Sequence, residues 1–249
     1  MRPIGFSTGA LAYADFRQGL ILARSAGCTI VELSALREPE LAPMLDALDD
    51  LDLGGFRYVS IHAPSKIEPE NEALVAERLR RLLTRGWPIV VHPDAIRDFS
   101  LWREFGALLC IENMDKRKPI GRTAKELGLI FDQLPEASLC FDIGHARQVD
   151  TTMTEAYLIL KEFGGRLGQV HISEVSTSSR HNPLSYASMM AFQEVAHRIP
   201  GSAPIILETP AADEVAMRGE IAKAREALPV EGDLAAQHGR PGLSPVRAV

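Results

Sequence analysis

The sequence predicts a single α/β domain, a (β/α)8 barrel of parallel strands, and three observations carry that expectation. Eight short, β-rich apolar runs alternate with longer amphipathic segments. Successive runs begin mostly 20 to 40 residues apart, the room that a strand, a turn and a crossover helix need. No Gly-rich phosphate turn follows the first run, which favours a closed barrel over an open doubly wound sheet.

The runs, in order, are IGFST (4–8), TIVEL (29–33), YVSIH (58–62), PIVVH (88–92), ALLCIE (107–112), SLCFD (138–142), GQVHI (168–172) and PIILE (204–208). Helical patterns lie between them. The segment 15–27 ends on Gly27, a C-cap residue. Segment 70–86 carries Leu74, Leu79, Leu82 and Leu83, with Glu early and Arg late as the helix dipole prefers. Segments 121–135 and 152–165 stop at Pro or Gly, 185–200 and 213–228 complete the set, and 38–51 and 94–105 carry fainter helical patterns. The barrel is thus expected over 1–228. Residues 229–249 lack periodicity, contain Gly and Pro, and read as a mobile C-terminal tail.

Composition narrows the function classes. A chain of 249 residues suits one barrel of this kind. No run of about 18 apolar residues exists, so no membrane span is expected. The first residues lack a continuous apolar core and read as a strand rather than a signal peptide. A net charge of −6 argues against a broad basic face, so nucleic acid is not an expected partner. Cys28, Cys110 and Cys140, without CxxC spacing, argue against a disulfide framework and fit a reducing cytoplasm. Cys110 and Cys140 each precede a carboxylate by two residues, so strand periodicity turns them into the barrel interior as small core residues.

In such a barrel, chemistry gathers where strands end and loops begin. That rim collects His62, His92, Glu112, Asp142, His171 and Glu208, each directly after an apolar run. A lone buried carboxylate costs several kcal/mol or shifts its pKa unless it is paired or bound to metal. Converging carboxylates also repel one another, and a divalent cation relieves both problems. His145 and His181 fall in the loops after the sixth and seventh runs, so five of seven histidines share the rim, leaving only His197 and His238 elsewhere. Mixed oxygen and imidazole donors suit Mn2+, Mg2+, Co2+, Fe2+ or Zn2+, with more imidazoles favouring zinc.

Several further residues have two readings. Glu32 either supports a ligand or substrate, or forms a local salt bridge. Glu174 either orients His171 or binds substrate, or is solvated in a loop. Arg180 either meets an anionic substrate or lies exposed. Lys116, Arg117 and Lys118 read as a solvated loop, with phosphate contact as the alternative. Gly5, Gly9 and Gly144 sit where backbone turns tightly and need no catalytic role.

The series SIHAP, VVHPD, CIENMD, FDIGHA, VHISE and ILETP, in order at the strand ends, resembles the xylose isomerase-like TIM barrel superfamily. This superfamily holds sugar isomerases and epimerases together with endonuclease IV, and the resemblance runs from about residue 4 to 225. It implies that Glu112, Asp142, His171 and Glu208 form the shared four-ligand metal site. It implies that His62 and His92, with Glu112 as a bridge, hold an additional metal in endonuclease IV-like members. His145 and His181 match two ligands of a third metal, whose remaining aspartate is replaced here by Ser179. The aromatic that enters DNA in that enzyme has no counterpart near Ser65.

The implied function is a cytoplasmic, divalent-metal-dependent isomerase or epimerase, with one or two ions per chain, acting on a small sugar, polyol or hydroxy-carbonyl compound. Glu112 and Glu208 would exchange a proton through an enediolate while His62, His145, Glu174 and Arg180 bind substrate. A dinuclear phosphoester hydrolase is the alternative. A metal-dependent oxidase and a non-catalytic binding barrel are further ones.

Overall fold

Parallel strands close on themselves in the computed structural model, which describes residues 2–230. They are β1 (Ile4–Ser7), β2 (Ile30–Ser34), β3 (Tyr58–His62), β4 (Ile89–Val91), β5 (Leu109–Glu112), β6 (Ser138–Asp142) and β7 (Leu167–Ile172). A short antiparallel hairpin, β8 (Glu174–Val175) with β9 (His181–Asn182), then interrupts the pattern before β10 (Ile205–Leu207). β10 pairs with both β7 and β1, setting Ile4 opposite Ile205 and closing the ring. This is the (β/α)8 TIM barrel that the sequence predicts.

Helices α1 (Thr8–Ala12), α2 (Phe16–Ser25), α3 (Glu38–Asp46), α4 (Glu72–Leu79), α5 (Ala124–Gln133), α6 (Ile143–Val149), α7 (Thr154–Phe163), α8 (Tyr186–Ala196) and α9 (Glu214–Ala227) fill the connections. Asp15, Thr123, Ser185 and Asp213 cap α2, α5, α8 and α9, each accepting from a backbone N–H three residues on. Gly27, at φ 79°, turns the chain out of α2 in the left-handed conformation that glycine adopts without a Cβ clash.

Two segments depart from the expected helices. Over 94–105 the chain forms short 3-10 turns, Pro93–Ala95, Phe99–Leu101 and Arg103–Leu108. The physical reason is a tertiary acceptor. Glu72 Oε1 takes the backbone N–H groups of Arg97 (2.8 Å) and Asp98 (3.1 Å) and the Trp102 indole N–H (2.9 Å). Donors that would build a helix are thereby spent on another element. Asp98 also folds its carboxylate onto Ser100 N, a local turn that competes with helix. Segment 70–86 is α4 only to Leu79 and then a 3-10 stretch, Arg80–Arg85, ending at left-handed Gly86. At the other end of the chain, Pro229 accepts from Arg2 Nη2 at 3.2 Å, which holds the start of the expected tail against the barrel. The rest of that tail, 231–249, lies outside the described residues.

Strand periodicity sorts the side chains into two cores. One parity, including Phe6, Val31, Leu33, Ile61, Val91, Ile111, Phe141, Val170 and Leu207, joins the large apolar core between strands and helices. The other parity faces the barrel axis and is mostly small or polar, with Ser60, Glu32, Gln169, Cys110 and Cys140 beside the aliphatic Ile30, Val90 and Ile206 and with the predicted ligands above them. Its one apolar cluster is Val90 with Cys110 and Cys140. The expectation that both cysteines are buried inside the barrel holds.

The Glu72 carboxylate predicts its own test. Glu72→Ala should cost about 2–4 kcal/mol in urea unfolding, because it orphans several buried donors including the Trp102 indole. Glu72→Gln, which keeps an acceptor oxygen, should cost distinctly less.

Candidate metal centre

Glu112, the last residue of β5, is 1% exposed and sits among four imidazoles. Its Oε2 lies 3.3 Å from His62 Nε2 and 3.1 Å from His92 Nε2. Its Oε1 lies 3.3 Å from His171 Nδ1 and 3.4 Å from His145 Nδ1. Each partner comes from a different strand end, so barrel closure alone brings them together.

The opposite ring nitrogens explain why these imidazoles point inward. His62 Nδ1 lies 2.7 Å from the Ala63 carbonyl and His92 Nδ1 3.2 Å from that of Ser65. Each Nδ1–H donates there, so Nε2 is the nitrogen turned toward Glu112. His171 is held the other way round. Its Nε2 meets Glu32 Oε2 at 3.1 Å, leaving Nδ1 to face Glu112 and, at 3.5 Å, Glu208. Glu32 is fully buried inside the barrel, with Ser60 Oγ and Gln169 Nε2 also donating to its Oε2. Gln169 is fixed in turn by the Tyr58 hydroxyl, which donates to its Oε1 at 2.6 Å. Glu32 thus forms an ion pair with His171 that also fixes which ring nitrogen faces Glu112.

Asp142 ends β6 and caps α6, accepting the His145 backbone N–H on Oδ1 at 2.7 Å. Helix α6 was not expected, since seven residues are too few to show a helical period. Asn113 clamps this strand end to its neighbour. Its amide donates to the Asp142 carbonyl and accepts from the Asp142 N–H, both at 2.8 Å. Asp142 Oδ2 and Glu208 Oε2 are buried without a hydrogen-bond partner.

Those orphaned oxygens test whether a cation fits. Donor atoms of Glu112, Asp142, His171 and Glu208 all lie within 4.8 Å of one another, as do those of His62, His92 and Glu112, and those of His62, His171 and Glu208. Two donors each about 2.1 Å from one cation at tetrahedral to octahedral angles are themselves about 3.0–3.4 Å apart. The nitrogen-to-oxygen spacings of 3.1–3.5 Å around Glu112 and Glu208 match that range. Oxygen-rich donors with one or two imidazoles suit Mn2+, Co2+, Fe2+ or Zn2+.

Electrostatics agree. Burial pushes the Asp142 carboxyl up to about 8; Glu208 and Glu112 add to this, and His145 opposes it. Burial lowers His62, but the hydrogen bond with Glu112 and the charges of Glu32, Glu112 and Glu208 outweigh it and carry the imidazole to about 9. His171 is likewise raised well above its usual range: burial opposes the rise, while the neighbouring Cys140 and then the Glu32, Glu208 and Glu112 carboxylates drive it. The raised values at Asp142, His62 and His171 mark a buried group of carboxylates that needs compensating positive charge, which a cation would supply.

The remaining candidates separate. His145 turns its Nδ1 onto the Asn113 carbonyl at 3.0 Å and stacks edgewise on His181, ring centres 5.5 Å apart. His181 lies on β9, with Nδ1 2.8 Å from Ser173 Oγ and 3.5 Å from Glu208 Oε2. Both flank the clusters without joining a three-donor group among the described residues. Glu174 faces away from the site. It accepts from Ser185 N at the start of α8 and lies 3.8 Å from Arg147. Ser179 points its hydroxyl at Asp115 Oδ1, 2.7 Å away, instead of at the histidines.

A cavity of about 650 Å³ opens over the cluster, lined by His62, His92, Glu112, His145, His181 and Glu208 together with Arg180. Arg117 and Lys118 also line it, although the sequence read their loop as solvated. Lys118 is drawn inward by Asp94, at 2.8 Å. Sequence reasoning missed Asn113, Gln169 and Asp115. A buried amide directly after a strand-end glutamate was the only available signal, and it applies to Asn113 alone.

No protein-family model and no curated protein matches the sequence. Among solved structures, an L-ribulose 3-epimerase aligns with a TM-score of 0.56 at 14% identity, over 95% of this chain and 94% of its own. A candidate sugar phosphate isomerase/epimerase from Anabaena variabilis gives 0.53 at 14% identity, over 89% and 88%. These likenesses show the (β/α)8 barrel fold. A dihydropteroate synthase from Yersinia pestis also aligns, at 0.50 and 15% identity over 94% and 93%, so the likeness speaks for the barrel rather than for one chemistry.

Two predictions follow from the cluster. Asp142 and His171 carry protons in the metal-free site at pH 7, and a cation must displace them. Mn2+ binding followed by calorimetry in buffers of different ionisation enthalpy should release about two protons. Affinity should rise with pH through about pH 8, where Asp142 sheds its proton unaided, and go on rising until the His171 imidazole has lost its proton too. Glu32→Gln should weaken Mn2+ binding about 10–100-fold, the usual effect of removing a carboxylate behind a ligating imidazole.

Proposed function

We propose that the protein is a divalent-metal-dependent isomerase or epimerase of a small sugar, polyol or related hydroxy-carbonyl compound. One observation carries the reading: Glu112 and Glu208 line the same cavity, flank the same His171 nitrogen, and Glu208 keeps one oxygen without a donor. Isomerisation beside a carbonyl needs carboxylates placed this way to take a proton from one carbon and return it to the same or a neighbouring carbon. The sugar epimerase and isomerase descriptions of two solved neighbours support a sugar-like substrate.

Glu112, Asp142, His171 and Glu208 would hold a divalent cation, which would supply charge stabilisation for a developing enediolate. The chain's own residues do the rest. Glu208 Oε2 removes the carbon-bound proton, and Glu112 completes the exchange from the other side. His62 and His145, which line the cavity, orient substrate oxygens.

A second reading, a dinuclear phosphoester hydrolase, is favoured by one specific feature. His62 and His92 both anchor Nδ1 on a backbone carbonyl and turn Nε2 toward Glu112 Oε2, as ligands of a second cation would.

Incubation of Mn2+-loaded protein with pentuloses and hexuloses in D2O should place deuterium on the carbon beside the carbonyl, read by NMR. Glu208→Gln should slow that exchange by about 10²–10⁴-fold while the chain stays folded. Absence of exchange with every ketose, joined to two metals per chain and phosphoester turnover, would replace this reading with the hydrolase.

A further inference from the structure

We propose that Arg117 and Arg180 form a subsite for an anionic group on the substrate, a phosphate or carboxylate, so that the cavity takes a charged keto-sugar rather than a neutral one. The inference rests on the reading of this cavity as the substrate site.

Four cations line the cavity: Lys66, Arg117, Lys118 and Arg180. They come from the loops after β3 and β5 and from the β8–β9 hairpin, in a chain whose net charge is −6. Two are already neutralised. Lys66 pairs with Glu68 at 2.5 Å and Lys118 with Asp94 at 2.8 Å. The arginines are not. The Arg180 guanidinium makes no hydrogen bond or ion pair among the described residues. Arg117 has only long contacts, 3.4 Å to Asp115 Oδ1 and 3.4 Å to the Ser179 carbonyl.

That second contact places both arginines at one corner, since the Ser179 carbonyl belongs to the peptide leading into Arg180. The corner is built rather than loose. Ser179 is buried and holds φ 53°, a left-handed conformation that non-glycine residues seldom adopt. Three contacts hold it there. Its hydroxyl donates to Asp115 Oδ1 at 2.7 Å, Gln148 Nε2 donates to that hydroxyl at 2.8 Å, and Gln148 also donates to the Ser176 carbonyl at 2.7 Å. The Arg180 N–H is tied to Ser176 Oγ at 3.0 Å. A pinned turn thus presents an unpaired arginine at the cavity wall, one residue from the carbonyl that a second, weakly paired arginine reaches. Both side chains are exposed and free to close on a planar or tetrahedral oxyanion, which the two forks together would recognise. A neutral polyol carries no such group.

The test compares three ligands on Mn2+-loaded protein by calorimetry: D-ribulose, D-ribulose 5-phosphate and 5-keto-D-gluconate. At least one anionic ketose should bind about ten-fold or more tightly than D-ribulose, and the preference should shrink with added salt. Preference for the phosphate or for the carboxylate identifies which anion the corner takes. Arg117→Gln/Arg180→Gln should abolish the preference, and Arg117→Lys/Arg180→Lys should restore part of it. Equal affinity for all three ligands would overturn the subsite, as would a preference that survives in the glutamine pair. Binding is read without turnover, so this result stands apart from the deuterium exchange that tests the isomerase reading.

Discussion

One carboxylate kept from water organises the functional end of this barrel. Glu112 is almost wholly buried, and a bare charge there would cost several kcal/mol. The fold answers with imidazoles from four other segments, each close enough to share a proton or a cation with it. Those rings must then be held in place. Backbone carbonyls behind the ring steer His62 and His92, Glu32 steers His171, and the Asn113 carbonyl shares the His145 Nδ1 with Glu112. The charge at the centre therefore dictates a second layer of polar contacts that reaches down the barrel to Tyr58.

That layer is affordable because stability is generated elsewhere. The outward parity of the strands packs against the helices in one large apolar core, while the inward parity is left mostly small or polar. A single strand thus serves both purposes at alternate residues, Ile111 outward and Glu112 inward, Phe141 outward and Asp142 inward. Anchors such as Glu72 extend the outer core, seating Trp102 where the fourth crossover lacks a regular helix.

The strands and the inner ring of ligands were legible in the sequence because both depend on local order: an apolar run, then a polar residue at its end. What escaped depends on partners far along the chain. The 94–105 segment has helical composition, yet Glu72, more than twenty residues earlier, claims its backbone donors. Asn113 and Gln169 gain their meaning only when β5 meets β6 and when Glu32 faces His171. Glu174 shows the converse. Its nearness to His171 in sequence suggested a role at the site, but it turns to cap α8. Ser179 was visible as a departure from the related barrels; that its hydroxyl pins a turn through Asp115 was not.

The β8–β9 hairpin is the one rim element that belongs to no strand–helix repeat. It is joined to the barrel by a few side-chain ties, from Asp115, Gln148 and Ser173, and the eight-stranded ring closes without it. In evolutionary terms it is an exchangeable part. Its tip brings Arg180 to the cavity wall, whereas Glu112 and Glu208 sit on β5 and just after β10, so the tip can change in length or sequence without moving either carboxylate.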